Sequence, residues 1–69
     1  MSFREQPPHI QARIRELRES ANNDAALGRE RPAFCQSRAA AALTRGNEIE
    51  AEYWLDSADE ARFALRSGA

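Results

Sequence analysis

The chain has 69 residues, with 10 Arg and no Lys against 11 Asp and Glu, and a formal net charge of −1. Its residues are 42% hydrophobic, but 14 of these are Ala, Val is absent, and there is one Cys and one His. These numbers exclude a multidomain enzyme, a transmembrane helix, an internal disulfide and a Cys/His zinc site, leaving regular helix packing or association with another chain as sources of stability.

Residues 1–7 read as a flexible N-terminus. A first helix is predicted over about 8–21, because Pro7-Pro8 suits a helix start. Ile10, Ile14, Leu17 and Ala21 then recur at spacings of 4, 3 and 4, a narrow apolar stripe on a surface otherwise made of Arg13, Arg15, Glu16, Arg18 and Glu19. Asn22-Asn23 suits a helix end, since Asn tolerates the left-handed conformation. Residues 22–31, with Asn, Asp and Gly28, read as a linker closed by Pro32, in which Asp24 caps at most one helical turn.

A second helix is predicted over about 32–45. Cys35, Ala39, Ala42 and Leu43 share one face, with Phe34 and Ala41 to the side, and Gly46 stops the helix. The third, over about 47–66, starts on an Asn47 cap with Glu50 three residues later. Glu48, Glu50 and Glu52 crowd its first turns and Arg62 and Arg66 its end, as the helix dipole favours, and Gly68 is the expected stop. Ala51, Trp54, Ala58, Ala61 and Leu65 form its main apolar stripe, flanked by Leu55, while Ile49, Tyr53 and Phe63 fall on another side. The short turn at Gly46-Asn47 forces an antiparallel hairpin. The fold class is therefore all-α: a small three-helix protein, one domain over 1–69, with a helical hairpin and an N-terminal amphipathic helix.

The stretch GNEIEAEYWLDSADEA resembles the turn and second helix of a tetratricopeptide repeat, with a turn Gly46, small Ala51 and Ala58, and bulky Leu55 between them. The resemblance covers about a quarter of the chain. Upstream, Cys35, Arg38 and Ala42 stand where that family carries larger apolar groups. It implies the packing of a helical hairpin that needs a neighbour to bury its faces.

Chemistry-bearing patterns are few. Cys35 and His9 are not placed together by any pattern, and Cys35 falls on an apolar helix face. Glu52, Asp56, Asp59 and Glu60 have helical spacing but no Glu-x-x-His partner, so they read as a solvated acidic face, with a cation site conceivable only at a seam between copies. Phosphate loops and nucleophile motifs are absent. The reading is non-enzymatic, with no catalytic residue, cofactor or metal.

Charge is uneven: residues 1–45 carry eight Arg and five acids (+3), residues 46–69 two Arg and six acids (−4). A third helix with six acids is repelled by DNA, which leaves nucleic-acid binding to Arg13, Arg15 and Arg18 as the alternative; a small subunit of a larger enzyme is a second. The preferred reading is a protein–protein interaction module, an adaptor, regulator or inhibitor. It would bury Ile49, Tyr53 and Phe63 against a partner and use Asp56 and Glu60 to select basic charge. Self-association is the expected assembly: a homodimer with a four-helix core would thicken a thin core, with another protein as the alternative partner. The other reading of that side of helix three is that helix one covers it. A single Cys and the lack of a signal-like or membrane-spanning run point to a cytoplasmic protein without membrane contact.

Overall fold

In the computed structural model, which describes residues 2–66, a 3-10 turn at Phe3–Glu5 precedes three helices: α1 (Pro8–Ala26), α2 (Glu30–Thr44) and α3 (Glu48–Arg66). The protein is all-α, and no strand occurs among the described residues. α2 packs against both α1 and α3, and both connections are three residues long. α1 and α3 therefore run parallel to each other and antiparallel to α2, the hairpin geometry anticipated for the second and third helices.

The helix cores follow the apolar spacing. Ile14 and Ala21 are buried on α1, with Ile10 and Leu17 partly buried against the same cluster. On α2, Cys35, Ala39, Ala42 and Leu43 are buried, joined by Ala33, Gln36 and Ala40 because this helix is covered on two sides. Ala51, Ala58 and Ala61 form the buried edge of α3. Eight of the eleven buried hydrophobic residues are alanines, so the helices approach closely but remove little apolar area from water. Trp54 is only half-buried and Leu65 is exposed, so the expected stripe on α3 is apolar at its alanines and open at its bulky ends.

Three boundaries differ from the sequence reading. α1 does not stop at Asn22-Asn23 but continues to Ala26, and α2 begins at Glu30, so the predicted linker over 22–31 shrinks to Leu27-Gly28-Arg29. The helix runs through the Asn pair because Asp24 continues the inner stripe and Ala25-Ala26 favour helix. Gly28, at φ 79°, provides the left-handed residue that ends it. Pro32 lies in the first turn of α2 rather than at its very start, a place where its missing N–H loses no helix bond. The segment before α1 is docked rather than free. Phe3 packs on the core cluster, Gln6 is buried, and its Nε2 donates to the Thr44 carbonyl at the end of α2 (3.2 Å). The expected stop at Gly68 lies outside the described residues.

Candidate protein-binding surface

The outward side of α3 collects the five residues singled out in the sequence. Ile49, Tyr53, Asp56, Glu60 and Phe63 are separated by 4, 3, 4 and 3 positions, the spacing of one line along a helix. The line is roughly 21 Å long at about 1.5 Å per residue. Ile49, Tyr53 and Phe63 are 83%, 63% and 72% exposed, and Asp56 and Glu60 are exposed between them. α1 packs on α2, so it does not serve as the cover for this side of α3. The surface is thus apolar at both ends and acidic in the middle.

One border of the line is stiffened by aromatic contacts. The Tyr53 ring stands edge-on to Trp54 (5.1 Å between centroids), and Trp54 stands edge-on to Phe34 of α2 (5.8 Å). The Arg38 guanidinium lies over both Phe34 and Trp54, at 5.6 and 5.7 Å. At the start of α3, Asn47 Oδ1 accepts from the Glu50 backbone N–H (3.1 Å), as expected of a cap. The Glu50 carboxylate takes an Arg45 guanidinium at 2.6 Å, and that hydrogen bond, aided by Trp54 and by the charges of Arg45 and Arg38, holds it below the usual carboxylate range against a smaller effect of burial.

A second cluster, at the other end of the bundle, was not legible as a site. Asp24 is 3% exposed. Its Oδ1 accepts from Arg29 Nε (2.9 Å), and its Oδ2 accepts from Arg62 of α3 (3.1 Å) and from the Gln36 amide of α2. The same Arg62 nitrogen donates to Ser20 Oγ (3.2 Å). One carboxylate therefore ties α1, the turn, α2 and α3 together, a different role from the one-turn cap read in the sequence. Burial raises its pKa, but hydrogen bonds from Arg62 and Gln36 and the charges of Arg62 and Arg29 outweigh it and hold the carboxyl below its ordinary value. The signal was present: Ile14, Leu17, Ala21 and Asp24 continue one helical stripe, and an acid on such a stripe calls for basic partners.

The remaining candidates stay apart. Cys35 is buried on α2, whereas His9 is exposed at the start of α1, the end of the bundle where Gln6 meets Thr44. Among the described residues no three His, Cys, Asp or Glu side chains are grouped to hold a metal ion, and no helix is long and apolar enough to cross a membrane. Arg15 and Arg18 lie over the Phe3 ring at 5.9 and 5.8 Å, so two of the three α1 arginines considered for nucleic acid are engaged with the N-terminal segment. The chain matches no family model, no curated protein and no solved structure.

Proposed function

We propose that this chain is a non-catalytic protein-binding module that docks a basic helical partner along the outward face of α3. The observation that carries the reading is the single line of Ile49, Tyr53, Asp56, Glu60 and Phe63, in which three large apolar side chains are more than half exposed to solvent on one face of one helix. Covering a side chain of this size is worth about 1.5–3 kcal/mol each, enough to anchor a partner helix at both ends of the line. The central carboxylates choose the partner. A second copy laid along the same face, in either orientation, brings Asp56 and Glu60 against carboxylates, which opposes self-pairing there. A helix with Lys or Arg at its centre and apolar residues on either side meets no such penalty. An adaptor, a regulator or an inhibitor would each use the face in this way.

The test is site-specific photo-cross-linking in the source cell, with a benzoylphenylalanine at position 53 and a control probe at exposed position 16 on α1. The reading requires a discrete product from position 53 only, lost when Ile49→Glu and Phe63→Glu are combined. The cross-linked partner segment should be a basic amphipathic helix. Equal products from both positions, or none from position 53, would refute it, and a product made only of two copies of this chain would replace the basic partner by self-association.

A further inference from the structure

The end of the bundle opposite the α2–α3 turn holds an open depression of about 680 Å³, where the last turns of α1 and α3 meet the α1–α2 turn. Three guanidinium groups line it, from Arg29, Arg62 and Arg66, together with Ser20 and Asn23, and the one carboxylate among its lining residues is Asp24. Three positive charges against one negative leave a balance of +2 in a small volume.

The carboxylate has little left to offer a ligand, because it is buried and both of its oxygens already accept hydrogen bonds. Its two arginine partners are in a different state. The Arg29 and Arg62 side chains are 46% and 42% exposed, so each is pinned at one edge and open to solvent at another. A guanidinium carries five N–H donors in a rigid fork, and the contacts to Asp24 and Ser20 use only part of each set. Pinning also removes rotamer freedom in advance, which lowers what a ligand must offset on binding. Arg66 forms no ion pair among the described residues and brings a third fork to the same opening.

We propose that this depression binds a dianionic phosphate group, either as the free ion or as a phosphomonoester on a small organic body. A charge of −2 matches the surplus of +2, and planar forks pair with phosphate oxygens two at a time. The volume lies within the range of small-ligand clefts, about 300–1,000 Å³, so an organic body has room, with Leu65 as an apolar wall. A nucleic-acid backbone fits less well. It needs a continuous basic track, whereas the outward surface of α3 carries Glu52, Asp56, Asp59 and Glu60, all exposed.

The experiment titrates the full chain, isotope-labelled for NMR, with phenyl phosphate, with inorganic phosphate and with a short oligodeoxynucleotide. The proposal requires saturable shifts of the Arg29 and Arg62 side-chain N–H signals and of the Ser20 and Asn23 amides. Arg66 lies outside the Asp24 network, so Arg66→Gln should keep the melting temperature and weaken phenyl phosphate binding about tenfold, the loss of one charge-assisted hydrogen bond. Tighter binding of phenyl phosphate than of inorganic phosphate assigns an organic monoester, and equal binding assigns the free ion. Absence of shifts at about 20 mM ligand, about twentyfold above a dissociation constant of about 1 mM, would overturn the proposal. So would shifts spread evenly over all the arginines, an affinity unchanged by Arg66→Gln, or tighter binding of the oligonucleotide at the same residues.

Discussion

The two turns of the molecule share one backbone and differ in what their side chains do with it. In the first, Gly28 N–H bonds to the Ala25 carbonyl (3.1 Å) and Arg29 N–H to the Asp24 carbonyl (2.8 Å). In the second, Gly46 N–H bonds to the Leu43 carbonyl (3.0 Å) and Asn47 N–H to the Ala42 carbonyl (2.9 Å). Both are paired six-to-one and five-to-two closures around a left-handed glycine, at φ 79° and 77°. After the second turn, Asn47 caps α3 and the ion pair of Arg45 with Glu50 lies on the surface. After the first, Arg29 offers no side-chain cap to α2 and turns instead to the buried Asp24. One closure is local, within a few residues of sequence, while the other reaches Arg62, 38 positions away. A similar bend thus ends one helix for the sake of a cap and another for the sake of tying three helices together.

The largest effect should come from breaking the long-range member. Asp24→Ala removes the acceptor that Gln36, Arg29 and Arg62 share, leaving Gln36 with the Pro32 carbonyl and Arg62 with Ser20 Oγ. Removing one partner of a fully buried pair costs about 3–5 kcal/mol, but both arginines are half exposed and regain water, so about 2–3 kcal/mol is expected by urea denaturation. In a chain this short that is a large part of the total. The pH dependence has a definite sign. The folded carboxyl titrates below its ordinary value of 3.8, so between the two values the unfolded chain binds a proton that the folded chain does not. Its stabilisation is complete above the ordinary value and is lost as pH falls through the lower folded one. Asp24→Asn should flatten that acid limb, and an unchanged limb would show that the carboxylate is not held as described.

Next come the glycines. Gly28→Ala and Gly46→Ala each force an L side chain into left-handed backbone and should cost about 1–2 kcal/mol. A Cβ at Gly28 would meet nothing within 4 Å, so its loss is purely conformational. Near-equal losses in melting curves would support the shared backbone, and a clear inequality would break the comparison. The smallest effect belongs to the cap: Asn47→Ala should lose about 1 kcal/mol.

The same contrast explains what the sequence could disclose. Gly46 followed by Asn47 and Glu50 signals a turn and a cap within five residues, and the hairpin was readable from them. The first turn was hidden because Asn22-Asn23 imitates a helix end and Pro32 a helix start, masking the true stop at the left-handed Gly28 between them. The outward line on α3 was readable because it depends only on the 3.6-residue period. The opening of Leu65 and the docking of Phe3 and Gln6 were not, since both depend on where a neighbouring helix ends. The arginine-lined depression was equally out of reach, because its three guanidinium groups come from a turn and from a helix that meets it only in the folded chain.

The most direct measurement is the molar mass of the purified protein at pH 7 by light scattering across a concentration series, for the native chain and for Ile49→Glu. Because either self-pairing of the α3 line sets carboxylates against carboxylates, the single-chain mass is predicted for both. A native dimer that Ile49→Glu dissociates would contradict the account, since the outward face of α3 would then be made for a second copy and not for a basic partner.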